Sequence, residues 1–188
     1  NGRLAAISHY NLLDTPDEPA FDRITGVLAS ICNVPIALVS LIDAERQWFK
    51  SCIGLSVAET GLDVSFCKYL HDTHDPMIVH DATSDARFKD NDLVTGPPYI
   101  RFYAGAPLIT RDGYFLGSLC AIDTSPRDHI SDDQIACLTS LAATVMEMVE
   151  VRFTNDALAR SNAELAEVNA RSELLYQSID ATSGGLNI

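Results

Sequence analysis

The sequence predicts an α+β fold: a central antiparallel sheet, with helices packed on one face and crossing loops and short helices on the other, plus a long C-terminal helix. Three observations carry this. Val34–Asp43 and Arg46–Ile53 are β-rich runs separated only by Ala44-Glu45. Arg101–Thr110 and Phe115–Asp123 repeat the pattern around Arg111-Asp112-Gly113, so the chain holds two hairpins. Finally, no Gly or Pro interrupts the chain between Ser131 and Gly184, which predicts one helix of about fifty residues.

Taken in order, Arg3–Leu13 is a short helical entry with apolar Leu4, Ile7, Leu12 and Leu13, broken by Asp14-Thr15-Pro16. Pro19 opens a second helix, in which Phe21, Ile24, Leu28 and Ile31 recur at three- and four-residue spacing until Asn33 ends it. Val34–Asp43 has too little alternation for a strand with an exposed face and belongs at the centre of the sheet. Gly54–Asp63 reads as a loop, Val64–Thr73 as a short helical segment, and Met77–Ala82 as a brief strand. Asp85–Asp92 is a polar helical turn leading to the break at Pro97-Pro98.

In the second hairpin Ala104, Gly105, Ala106, Gly117 and Ser118 stand where β-branched or aromatic residues are usual. Small residues in mid-strand mean that something approaches the sheet closely, either a packed helix or a ligand. Ser131 is a good N-cap, with Asp132 and Asp133 at the positive helix end. From Ile135 to Val149 the long helix keeps one apolar face. Beyond it Leu158, Leu165, Ser172 and Ile179 share one heptad position, and Ser161, Val168 and Leu175 the other. A lone helix has little to hold it in water, so this stretch is expected to form a parallel homodimer. Its partly polar seam suits a segment that shifts register.

Thirteen basic against 26 acidic residues leave a formal charge of −13. Such a surface lacks the positive field that attracts nucleic acid or an anionic membrane. No uninterrupted apolar run approaches the roughly 20 residues that span a bilayer, and no signal peptide opens the chain. Cys32, Cys52, Cys67, Cys120 and Cys137 are odd in number and lack CxxC spacing, which fits buried thiols in a reducing cytoplasm.

The order of elements resembles the GAF family, and the wording of four segments agrees: VPIALVSLIDAERQWFKSCIGL (Val34–Leu55), VSFC (Val64–Cys67), HDATSDARFKDN (His80–Asn91) and Gly96–Asp123. These look like the GAF domains of bacterial sensor histidine kinases and cyclic-di-nucleotide enzymes. The resemblance divides the chain into a GAF sensor domain over 1–152, a coiled-coil linker helix over 153–180, and the start of a following domain over 181–188. There LLYQSIDATSGGLNI (Leu174–Ile188) is similar to the lead-in of a PAS domain. The resemblance implies a regulatory sensor of a cytoplasmic two-component or related signal-transduction protein, not itself an enzyme. It would bind a small molecule or partner and relay the change to a downstream output domain. The alternatives are a ligand-free structural domain that only dimerises, and a redox sensor centred on Cys67.

The candidate pocket lies on the sheet face under the crossing segments. Phe66 and Cys67 come from one of these segments, Phe88 from the other, and Arg101 and Tyr103 from the hairpin, two residues apart and so on one face. Arg101 is suited to hold a carboxylate or phosphate, and equally to pair with Asp85 or Asp90 and pin the crossing loop. Cys67 stands near a helix start, where a thiol pKa is lowered. Within GAF resemblances a cysteine carries a linear tetrapyrrole or serves redox chemistry. The Cys-His dipeptide of the tetrapyrrole site is missing here, and SFCKY does not match the Gly-rich loop of the free methionine sulfoxide reductases, so packing is the expected role of Cys67. His71, His74 and His80 beside Asp72, Asp75 and Asp81 make no closed metal set. No GxSxG, HExxH or P-loop is present. No catalytic residue, metal ligand or cofactor is therefore assigned.

Overall fold

The computed structural model describes residues 2–183, and the surroundings of their side chains as far as residue 175. Six antiparallel strands form one sheet. Its first hairpin is β1 (Ile36–Ile42) with β2 (Arg46–Ile53), and its second is β5 (Phe102–Ile109) with β6 (Phe115–Asp123). The short strands β3 (Glu59–Gly61) and β4 (Met77–Val79) lie at the edges, giving the order β3-β2-β1-β6-β5-β4. The hairpins meet where β1 pairs with β6, from Ile36 opposite Ile122 to Leu41 opposite Gly117. Every residue of β1 is buried, as its lack of alternation requires.

Because side chains alternate across a strand, the sheet serves two cores. On one face Ala37, Val39 and Leu41 join Ala104, Ala106 and Leu119 beneath α1 (Gly2–Tyr10), α2 (Pro19–Cys32) and the first turns of α4 (Asp132–Ser183). On the other, Ile36, Leu38, Tyr103, Cys120 and Ile122 pack under the crossing segments. The small residues of the second hairpin thus have separate causes. Ala104 and Ala106 face the helical layer. A Cβ on Gly105 would strike the Tyr103 ring, which lies across it. At Gly117 the close neighbour is strand β1 itself, through Ser40 O and, at 2.8 Å, Leu41 Cα.

Polar fastenings hold the layers. Asn33 ends α2 in the left-handed region (φ 50°), which asparagine tolerates. Arg127 then donates to the last carbonyls of that helix, Cys32 O (2.6 Å) and Asn33 O (2.5 Å), while pairing with Asp123 at the end of β6. A cation at a helix C-terminus also suits the helix dipole. Ser131 and Gln134 form a capping box on α4, and Gln134 Nε2 reaches Ile31 O at 3.0 Å. The ammonium of Lys50, almost wholly buried, is held by Glu18 (2.6 Å), Pro16 O (2.7 Å) and Thr15 Oγ1 (2.9 Å).

Local differences from the sequence expectation are confined to the crossing segments. The Gly54–Asp63 loop contains β3, which pairs with the outer edge of β2 and is fixed by Arg46 to Glu59. The helix expected over Val64–Thr73 is a single 3-10 turn, Cys67–Leu70, since it must turn Phe66, Cys67 and Leu70 inward within a few residues. A four-residue helix α3 (Asp92–Thr95), capped by Asn91, follows the polar turn. The structure falls into two units, Asn1–Val149 and Glu150–Ile188. In the second, Leu158, Leu165, Val168 and Leu175 are each more than half exposed on the helix. Of the heptad residues, Ile179 lies outside the side chains described; of the PAS lead-in expected over Leu174–Ile188, Gly184–Ile188 lies outside the described residues.

By length and composition α4 is apolar enough to cross a membrane, with mean hydropathy 1.3 in its most apolar window. Within it Leu138, Ala142, Val145 and Val149 are buried in the core under the sheet. Two glycine substitutions separate close approach from helix propensity. Gly117→Ala is expected to destabilise by about 1–3 kcal/mol or more, because the new methyl overlaps β1. Gly26→Ala, in mid-α2 with nothing within 4 Å of its Cβ position, is expected to stabilise by about 0.5–1 kcal/mol. Chemical denaturation of both variants checks the pair.

Candidate functional site

A cavity of about 350 Å³ opens on the sheet face away from the helices. Its base is the apolar surface of Ile36 and Leu38 from β1, Phe49 from β2, Tyr103 from β5 and Ile122 from β6. Leu55 and Val57 of the following loop, Phe66 and Cys67, and the cis-linked Pro97-Pro98 wall it round. Gln47, Ser56, Thr60 and Ser65 supply its few polar side chains, with Glu59 at the side already bound to Arg46.

Of the residues singled out in the sequence, Phe66, Cys67 and Tyr103 line this cavity. Phe88 stands behind it, stacked on Phe66 with centroids 4.0 Å apart and rings within 6° of parallel. Phe88 therefore sets the position of the wall without touching the space. Arg101 is not a lining residue. It precedes β5, so the two-residue rule does not carry to it, and its guanidinium donates to Val94 O (2.9 Å) and Ile100 O (3.0 Å), fastening α3. The expected ion pair of Arg101 with Asp85 or Asp90 is replaced by one between Asp85 and Arg87 (2.6 Å), local to the turn.

Sequence reasoning missed the Gln47–Ser65 pair, in which the Ser65 hydroxyl donates to Gln47 Oε1 while accepting from Lys68 N at 3.3 Å. The available signal was a glutamine inside an otherwise β-rich run, buried where water would be expected. It also missed Lys50, whose burial follows from contacts with residues more than thirty positions away.

Cys67 lies at the junction of cavity and core. Its sulfur accepts from Tyr103 Oη (3.4 Å) and Ser40 Oγ (3.6 Å), and Cys120 adjoins it. Hydrogen bonding from the Cys120 thiol first, then from the surrounding hydroxyls, holds the Cys67 pKa down to about 6 against the burial that pushes it up. The same shared bond, with burial, pushes Cys120 well above the ordinary thiol value. Ser118 Oγ, wholly buried in this cluster, has no well-aligned hydrogen bond of its own among the described residues. The histidines do other work: His71 bonds its neighbour Asp72 (2.8 Å), and His80 bonds Arg127 O (2.9 Å). No group of three His, Cys, Asp or Glu among the described residues is arranged to hold a metal.

A six-stranded antiparallel sheet, helices on one face and a walled apolar pocket on the other, defines a small α+β sensor-type domain fold. The GAF domain model matches residues 18–148, and the chain belongs to the GAF family. It is 42% identical over 156 residues to a cyclic di-GMP phosphodiesterase of Pseudomonas aeruginosa, covering 82% of this chain. The chain spans about a quarter (27%) of that relative's length. Among solved structures, a type II free methionine-R-sulfoxide reductase from Thermoplasma acidophilum superposes with TM-score 0.58 at 14% identity, covering 72% of this chain and 93% of the other. A domain of a two-component sensor histidine kinase protein from Sinorhizobium meliloti gives TM-score 0.57 at 18% identity, covering 76% and 97%. At these identities the structural likenesses show the shared fold.

The hydroxyls around Cys67 stabilise its thiolate, so removing one raises its pKa. Tyr103→Phe is expected to move the Cys67 titration upward from about 6, read by thiolate ultraviolet absorbance against a Cys67→Ser blank.

Proposed function

We propose that this chain is the regulatory sensor module of a cytoplasmic signal-transduction protein and is not itself catalytic. A small molecule settles in the cavity over the sheet. The resulting shift passes through the sheet to the first turns of α4, and from there through a parallel dimeric coil to an output domain. The 42% identical relative favours an output that handles a cyclic di-nucleotide, with a histidine kinase the other output this family resemblance suggests. The observation that carries the reading is the two-faced sheet: on β6, Ile122 lines the cavity while its neighbour Ala121 packs in the helical core. A ligand that displaces one is felt by the other, provided it binds one arrangement of the helix better than the other.

The exposed Leu158, Leu165, Val168 and Leu175 support the dimeric coil, since an apolar stripe on a lone helix lowers its free energy by pairing. With Leu165→Cys, oxidation at micromolar concentration is expected to give a disulfide-linked dimer; persistent monomer removes the relay. A structural domain that binds nothing predicts no thermal shift with any ligand.

The lowered Cys67 pKa beside Cys120 favours one second reading, a thiol redox sensor. An unchanged response to peroxide and to methionine sulfoxide in Cys67→Ser removes it.

A further inference from the structure

Resting on the sensor reading of this cavity, we infer the chemical class of its ligand: an uncharged, largely apolar molecule of one or two rings, carrying one hydrogen-bond acceptor. Three observations converge on it.

The first is charge. None of the described residues lining the cavity is Lys, Arg or His. Arg46, Lys50, Lys68 and Arg101 adjoin lining residues in sequence and are already engaged, Lys50 by Glu18 and Arg101 by Val94 O and Ile100 O. Arg46 is bound to Asp14 (2.6 Å) and Glu59 (2.5 Å), and Lys68 Nζ donates to Asp63 O (2.7 Å) and Leu62 O (3.2 Å). A phosphate or carboxylate entering an apolar space loses its hydration and gains no counter-charge, which is strongly unfavourable. Glu59, the charged residue of the lining, has its carboxylate held by Arg46 and its side chain half exposed to water, which weakens its pull on a cation inside the cavity.

The second is size. About 350 Å³ is near the lower end for small-molecule sites. A cyclic dinucleotide, the substrate class in the relative's name, is both too large and too charged for it.

The third is the direction of hydrogen bonding. The Ser65 hydroxyl accepts from Lys68 N and donates to Gln47 Oε1, the amide orientation that this structure holds. That leaves the two Nε2 hydrogens of Gln47 without a protein partner among the described residues, on a side chain that lines the cavity and is almost buried. A glutamine amide nitrogen only donates. A ligand carbonyl or ether oxygen satisfies it, whereas a purely aliphatic ligand leaves it unpaired at a cost.

The test uses matched probes: 2-acetonaphthone, neutral with one carbonyl, 2-naphthoate, the same ring system bearing a charge, and cyclic di-GMP. The neutral ketone is expected to raise the melting temperature saturably and to bind at least tenfold tighter than the naphthoate by calorimetry. Gln47→Leu is expected to weaken the ketone about tenfold. Val57→Trp, on the exposed rim and therefore compatible with folding, is expected to abolish its binding. If the naphthoate or cyclic di-GMP binds more tightly than the ketone and Val57→Trp blocks it, the cavity remains a sensor site and the neutral class is overturned. Ketone affinity unchanged in Gln47→Leu overturns the acceptor. If no probe shifts the melting temperature at millimolar concentration, the sensor reading and the ligand class fall together.

Discussion

The pairing of β1 with β6 is the constraint on which the rest depends. It joins the two hairpins into one sheet, and it brings the strands so close at Gly117 that no side chain fits between. With both strands buried on both faces, this pair is the boundary of two cores that differ in character. The helical core is built mostly from aliphatic and alanine side chains, with Phe21, Trp48 and Phe102 among them. The opposite core is richer in aromatic rings, holds the Cys67–Cys120 pair, and opens into the walled apolar cavity. Between the packed core and the cavity the sheet is one residue thick.

Much of the fold was legible because its elements are local. The α2 periodicity, the apolar β1, the two hairpin turns and the Ser131 cap each rest on neighbours a few residues apart, and each appears close to where the pattern puts it. The small residues of the second hairpin were legible as a sign of close approach, but not as to what approaches. Three different neighbours, a helix layer, the Tyr103 ring and strand β1, produce the same choice of side chain. The candidate site was legible where bulk and position coincide, as for Phe66, Cys67 and Tyr103. Arg101 misled because its charge invited a partner charge, whereas two carbonyls of the adjacent turn satisfy it. Gln47 and Lys50 escaped because the burial of a polar residue is decided by contacts across the fold, which no spacing along the strand encodes.

Around Cys67 one set of contacts both fills the core and lowers the thiol pKa. The donors that satisfy a buried sulfur also favour its ionised form, so a residue selected to fill space acquires a low pKa. The asymmetry between Cys67 and Cys120 follows from sharing one proton-mediated contact: stabilising the thiolate of one sulfur makes ionising the other harder.

The Lys50 ammonium has a consequence for where this domain truly begins. The family match starts at residue 18, yet two of the groups that hold Lys50, Thr15 and Pro16, lie before it. Ile7 and Leu12 are buried in the helical core, and Arg3 binds Ile42 O at 2.5 Å. A fragment cut at the family boundary would leave an ammonium facing an apolar interior with fewer acceptors and would uncover one side of the sheet. The compact unit therefore extends upstream of the family match to include the first helix, which plugs one side of the helical core.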